Sequence, residues 1–277
     1  MSASVADVLA AFDLEKVGEF RYQANNAPAE GPVLFGGQLI GQAVVAAALT
    51  EPAKRVKSVH TVFARTGMAD APVTITVEPL HSGRSMASLT ALVSQGERRL
   101  SQSLVMLDVE DEDVIRRGSP VPTTAGPDAA VPQQSSLDGW EQRFAEAVDL
   151  FDPAAVGPPE LQIWSRFGTD RKEPAIAMAL LAWASVGSFI GTAMRPHEGV
   201  GLSLAHRTLS TGVLSQTLTV HDAFEAQDWL LLALRSTFAG GGRAFGTGEV
   251  FTPDGRLVAS CAQESLIRRM ARPGSTL

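Results

Sequence analysis

The hydrophobic positions follow two rhythms that alternate along the chain. From Gly36 to about Leu49 the apolar residues Leu39, Ile40, Ala43, Val44 and Ala47 fall three and four apart, the spacing of a helix with one buried face. The next segments, Val56–Arg65, Val73–Leu80, Ser85–Ser94 and Arg99–Val109, are rich in β-branched or alternating apolar residues and predict strands. Gly83-Arg84 and Gln95-Gly96 mark the turns between them. Ahead of this block the pattern predicts a short helix near 4–12, a strand near 14–24 and a loop carrying Asn25, Asn26, Pro28, Gly31 and Pro32. A second block repeats the plan: strand-like segments at about 143–151 and Leu161–Phe167, a helix from Pro174 to Met194, then strands near 200–208, 213–221, 229–239, 243–252 and 256–268. Thr169 or Asp170 is the expected N-cap of that helix, with Pro174 in its first turn.

Between the blocks, acidic Glu110 to Asp113 lead into a stretch rich in Pro, Ala, Gly, Ser and Thr, which reads as a linker. The expected division is therefore 1–110, a linker over 111–140, and 141–277. Gly83-Arg84 of the first block corresponds to Gly242-Arg243 of the second, and Gln95-Gly96 to Asp254-Gly255. A long helix beside antiparallel strands must bury its apolar face against them. Two such units in tandem predict a duplicated α+β fold whose halves pair side by side.

Composition narrows the function. The 277 residues are 45% hydrophobic and 19% charged, enough for real cores and against extensive disorder. A net charge of −7 excludes the overall basic footprint of a nucleic-acid binder, though a local arginine cluster remains open to a polyanionic ligand. The single cysteine, Cys261, rules out an intrachain disulfide and a multi-cysteine zinc site, and fits a reducing compartment; a cytoplasmic location is expected. The N-terminal segment carries Asp7 and no basic run, unlike a signal peptide. The apolar stretch 175–194 is interrupted by Ser185, Gly187, Ser188 and Gly191 and reads as a buried helix, not a membrane span.

Several segments then resemble one family. Val33-Leu34-Phe35-Gly36-Gly37-Gln38-Leu39-Ile40-Gly41-Gln42-Ala43 resembles the FGGQ helix start of the acyl-CoA thioesterase II family. Val59-His60-Thr61-Val62-Phe63-Ala64-Arg65-Thr66-Gly67 is similar to its next strand, with Thr66 where a proline is usual. Leu161–Arg166, the segment from His221 to Thr237, and above all Phe251–Glu264 resemble its second-half strands and last hairpin. The resemblance implies a double hot-dog, two long-helix-plus-antiparallel-sheet units pairing into one continuous sheet. It also implies hydrolysis of acyl-CoA to free acid and CoA, no cofactor or metal, and assembly into homo-oligomers.

Thioester hydrolysis needs a positioned water, donors for the developing oxyanion and an apolar slot. The family is understood to hold its water with an Asp on the second-half helix, a Thr on the next strand and a Gln on the last strand. The Gln matches Gln263. The Asp falls on Val186, and no carboxylate lies between Pro174 and His197. The Thr falls near Val213, so Thr211 or Ser215 is the expected stand-in. Without a base, general-base help of about 10²–10⁴-fold is missing from that position. The expected substrate contacts are Gly36, Gly37 and Gln38 at the helix start, Val186 on the second-half helix, and Arg65, Arg84 and Arg243 for CoA phosphates. Each has a plainer reading, a tight helix entry for the glycines and solvated surface charge for the arginines. Ser185, Ser188 and Thr192 share a helix face as a replacement water site or as small residues allowing close packing. His60 and His206 read as hydrogen-bonded strand residues. Glu264 falls on the face opposite Gln263 and is a poor replacement for the missing acid. A protein that binds acyl-CoA or an acyl carrier without hydrolysis is the alternative.

Overall fold

The computed structural model describes residues 3–29 and 31–270. The chain opens with helix α1 (Val5–Ala10), started by a capping box in which Ser4 and Asp7 satisfy each other's backbone donors. The expected strand at 14–24 is a hairpin, β1 (Glu15–Gly18) and β2 (Arg21–Ala24), because the chain reverses at Phe20 in a left-handed conformation (φ 53°). Helix α2 (Gly36–Thr50) follows, then β3 (Arg55–Phe63), β4 (Val73–Ser82), β5 (Met86–Gln95) and β6 (Arg98–Asp108). The second unit comprises β7 (Val131–Gln133), β8 (Trp140–Phe144), β9 (Glu160–Phe167), α3 (Pro174–Val186), α4 (Ser188–Met194), β10 (Leu209–Val220), β11 (Leu230–Gly240), β12 (Arg243–Phe251) and β13 (Leu257–Arg269).

All of these strands join one thirteen-stranded sheet ordered β1-β2-β4-β5-β6-β3-β10-β13-β12-β11-β9-β8-β7. The two halves of that order mirror each other about the antiparallel seam of β3 and β10, where Val62 pairs with Ser215 and Ser58 with Thr219. This is a double hot-dog, and the Gly83-Arg84 and Gly242-Arg243 turns occupy equivalent places in it. Because the seam is antiparallel, equivalent turns lie at opposite ends of the sheet.

The sheet wraps α2 and α3, which pack against each other in the middle. Gly37 and Gly41 make this contact possible. A Cβ on Gly37 would lie 2.7 Å from the Trp183 Cα, and one on Gly41 would lie 2.5 Å from Phe12 and 3.0 Å from the Ala179 Cβ. Ile40, Val44, Leu180 and Met178 are buried around them, each contributing about 1.5–3 kcal/mol. The stretch Pro174–Met194 is long and apolar enough to span a membrane by length and composition, yet it is this buried core.

Four details depart from the sequence reading. Helix α3 has Glu173 as N-cap, without a side-chain cap bond, while the Thr169 hydroxyl accepts from the Arg171 N–H in a turn of its own. The long helix is divided at Gly187, where Ser185, Ser188 and Thr192 each donate a hydroxyl back to a helix carbonyl (Ala182, Ala184 and Ser188), a habit that bends helices. The expected strand at 200–208 is a 3-10 turn at Leu202–Leu204 followed by His206 in a left-handed conformation (φ 59°), so His206 is not a strand residue. The expected strand at 143–151 lies earlier, at β8, and the chain then loops over α4, held by Leu202 N–H to Leu150 O and by Arg195 to Glu146.

The segment between the units is no free tether. Trp164, Leu231 and Phe251 stand side by side on the outer face of β9, β11 and β12. Ala130 buries against this cluster, and Trp164 Nε1 donates to Ala125 O and Arg143 to Pro127 O. Residues 125–131 thus strap the outer face of the second unit.

The α2–α3 contact yields a stability test. Gly37→Ala places a methyl against backbone that cannot step aside, so it should cost about 1–3 kcal/mol by overpacking. Chemical denaturation should show a lower midpoint for this variant and little change for alanine at the open Gly212, where nothing lies within 4 Å.

Candidate functional site

Helix α2 begins without a side-chain cap, at Phe35. Its first backbone N–H groups therefore lack partners within the helix, and Gly36 and Gly37 carry no side chain to shield them. What faces them is decided by the second unit. A Cβ on Gly36 would sit 2.6 Å from Val213 Cγ1 and 3.3 Å from Phe63, and Phe35 packs on Trp183 with ring centroids 4.7 Å apart. The bulge in β10 between Val213 and Ser215 lets Val213 turn toward Gly36. The positive end of α2 thus points at the seam between the halves, beside the end of α3.

A band of buried polar side chains crosses the inner face of the sheet there. Ser103, Thr61, Gln216 and Gln263 stand in register on the neighbouring strands β6, β3, β10 and β13, all essentially inaccessible to solvent. Thr61 and Ser103 share a hydrogen bond of 2.8 Å. Gln216 Nε2 donates to Ser185 Oγ on α3 at 2.6 Å, and Gln263 Nε2 donates to Ser265 Oγ at 2.8 Å. The amide oxygens of both glutamines are buried without a protein partner. A buried unpaired carbonyl costs about 1–3 kcal/mol, so two on adjacent strands call for a functional reason. Gly187, next to Val186, is exposed at the break between α3 and α4.

The sequence-derived candidates separate accordingly. Gly36 meets Val213 and Phe63 at the seam, Gln263 is buried on the inner face of β13, and Val186 is buried at the end of α3 beside Ser185. Thr211 is buried on β10 opposite Ile267, two residues beyond Val213. Ser215 does not join them. It pairs with Val62 and Glu264 on the outer face, and its hydroxyl points to Glu264 at 3.5 Å. Gln38 is fully engaged in structure: its Oε1 accepts from Ala27 N–H and its Nε2 donates to Asn26 Oδ1, fixing the loop ahead of α2. His60 is a hydrogen-bonded strand residue, its Nδ1 2.8 Å from Thr217 Oγ1 on the outer face.

The arginines divide by the seam's symmetry. Arg84 precedes β5, whose first residue Met86 pairs with Asp108, as does Arg55 at the start of β3. Arg65 and Arg243 belong to the other end, the end where α2 begins. Exposed Arg98, Arg99, Arg207, Arg268 and Arg269 stand at that same end. None of this group forms an ion pair among the described residues, whereas Arg55, Arg116, Arg143, Arg166, Arg171, Arg195, Arg235 and Arg256 all do. Sequence reasoning missed Gln216 and most of this rim. The β-alternation of residues 209–220 carried a signal, an isolated glutamine on the apolar face, but the bulge obscured which face that was.

Behind α3 lies a small apolar crevice of about 10 Å³, lined by Phe167, Leu181, Ala184, Leu230 and Leu232 among others. No group of three His, Cys, Asp or Glu residues among the described residues is arranged to hold a metal ion.

Comparison with known proteins follows this geometry. The model of an acyl-CoA thioesterase C-terminal domain matches residues 118–267 and that of an acyl-CoA thioesterase N-terminal domain matches 24–107. The chain is 25% identical to acyl-CoA thioesterase 2 of Haemophilus influenzae, covering 97% of this chain and 99% of that protein. It is 25% identical to human acyl-coenzyme A thioesterase 8, covering 94% and 88%. The solved tesB protein of Mycobacterium avium subs paratuberculosis superposes with a TM-score of 0.80 at 25% identity, over 96% of this chain and all of that one (100%). TesB2 of Mycobacterium marinum, at 24% identity over 95% and 98% of the two chains, shares the fold with a TM-score of 0.78.

Cys261 lies on the inner face two residues from Gln263, and burial pushes its thiol up to about 12. It is not a nucleophile of this site. Native protein should resist an aromatic disulfide reagent at neutral pH and release one equivalent of chromophore only on unfolding; rapid native labelling would contradict the packing.

Proposed function

Since the chain belongs to the acyl-CoA thioesterase family, we propose that it hydrolyses acyl-CoA to a free acid and CoA at the seam between its two units. The observation that carries this reading is Gln263, buried on the inner face of the sheet beside the seam with an amide oxygen free of protein partners. In this reading the N–H groups of Gly36 and Gly37 receive the thioester oxygen as it gains charge, which helps more in a dry site than in water. Gln263 accepts a hydrogen bond from the attacking water. The acyl chain lies against apolar side chains. The arginine rim at the same end takes the CoA phosphates; its free guanidiniums give a local positive field on a chain of net charge −7. Arg65, Arg207 and Arg269 belong to that rim, and Arg84 drops out. Thr211 is retained only as a nearby hydroxyl.

One observation favours a second reading, binding without turnover. No carboxylate stands on α3 where the family's acid is expected, and Val186 cannot accept a proton. We also place the protein in the cytoplasm, consistent with its single buried thiol, and expect homo-oligomers, for which the exposed Val62, Leu104 and Met106 on the outer face of the first unit offer apolar surface.

The deciding assay follows thiol release from acyl-CoAs of several chain lengths. Turnover should fall at least about tenfold in Gln263→Ala, the loss of one neutral hydrogen bond to the water. Binding by the wild type without any turnover would establish the second reading instead. Val186→Asp should introduce an acid limb and raise kcat on its alkaline side, by at most the roughly 10²–10⁴-fold of general-base catalysis. Reversing Arg207 and Arg269 to Glu should raise KM several-fold, with an effect that shrinks at high salt.

A further inference from the structure

We infer that Gln216, held by Ser185, is a second ligand of the attacking water, so that this site works with two neutral carboxamides in place of a carboxylate. The inference rests on the thioesterase reading above and concerns how that site manages without its acid.

Gln216 and Gln263 face each other across the β10–β13 ladder and both point inward. Directly opposed residues on antiparallel strands have Cα atoms about 4.5–5.5 Å apart, within reach of one shared water. Each amide is oriented by a hydroxyl on its nitrogen, Ser185 for Gln216 and Ser265 for Gln263. The Ser185 hydroxyl donates in turn to Ala182 O, so the amide NH2 must be the donor toward Ser185. That chain of donors leaves Oε1 of Gln216 as an acceptor with no protein partner, as it does for Gln263. Two acceptors side by side suit the two hydrogens of a water molecule, leaving its lone pairs free for attack. Ser185 is a positioning residue; Gln216 touches the water and is catalytic.

The step balances without a base. Water oxygen forms a bond to the thioester carbon while the carbonyl oxygen takes negative charge beneath Gly36 and Gly37 N–H. Collapse breaks the C–S bond, and the water proton passes to the departing CoA sulfur directly or through solvent, giving acid and thiol. No ionisable side chain lies within α2, α3 or β10. On β3, His60 faces outward and Arg55 and Lys57 lie near the strand's far end. On β13, Glu264 faces outward, Arg268 and Arg269 end the strand, and Cys261 is a buried neutral thiol. On β12, beside Gln263, Arg243 and Glu249 flank the ladder at its two ends. The neutral pair fits such surroundings, since a buried carboxylate here would be driven toward its protonated form.

The experiment measures kcat and KM for acyl-CoA across pH in the wild type, Gln263→Ala, Gln216→Leu, Gln216→Glu and Ser185→Ala. The wild type should show no acid limb between about pH 8 and pH 5, whereas a carboxylate base raised by burial would titrate in that window. Gln216→Leu should lose about tenfold in kcat, the size of one neutral hydrogen bond, with KM unchanged. Ser185→Ala, which removes one atom and keeps the packing, should lower kcat by a smaller factor. Gln216→Glu should introduce an acid limb and raise kcat on its alkaline side. Turnover that depends on Gln263 but survives both Gln216→Leu and Ser185→Ala overturns this inference alone. A wild type that turns over no acyl-CoA overturns the thioesterase reading, and the inference falls with it.

Discussion

The close approach of α2 and α3 inside one continuous sheet is the constraint on which the molecule depends. Two helices wrapped by antiparallel strands can lie this near only where one of them lacks side chains, and Gly37 and Gly41 provide that against Trp183 and Ala179. The contact sets the antiparallel arrangement of the units, and with it the seam of β3 and β10. It also delivers the uncapped start of α2 to the end of α3. The site exists because a packing contact within the core places one unit's helix start over the other unit's strands.

What that contact encloses is polar, buried and uncharged. A carboxylate in such a place has to be kept ionised against burial; amides and hydroxyls do not. The Ser185–Gln216 and Gln263–Ser265 pairs each use up the amide nitrogen and leave the oxygen available. Charge is instead kept at the rim, where solvated arginines without carboxylate partners gather at the end of the sheet where α2 begins. A neutral interior and a cationic mouth suit a ligand that is apolar at one end and polyanionic at the other.

The two units, alike in plan, are covered differently. The connecting segment straps the outer face of the second unit over Trp164, Leu231 and Phe251 on β9, β11 and β12, while the corresponding strands β4 and β5 of the first leave Leu80 and Met86 in solvent. Sequence composition marked that segment as a linker because Pro, Gly, Ser and Thr carry no periodicity. Its few anchoring contacts, through Ala125, Pro127 and Ala130, use backbone carbonyls and one small side chain, which leave almost no trace in a hydropathy pattern.

The sequence by itself determined the elements whose periodicity is set locally: α2, the strands on either side of Gly83-Arg84 and Gly242-Arg243, the duplication they reveal, and the absence of any acid on the second long helix. Gln263 was legible too, through the resemblance of the last hairpin, Phe251–Glu264, to that of the family. Only the tertiary structure decided what those residues meet. The β10 bulge turned Ser215 outward and Gln216 inward, reversing what alternation from the strand's start suggests. The antiparallel seam sent Arg84 to one end of the sheet and Arg65 and Arg243 to the other. Gln38, in a motif that reads as substrate-binding, was drawn into holding Asn26 and Ala27. These outcomes depend on contacts between residues far apart in the chain, and a hydrophobic pattern records which face is buried but not what is buried against it.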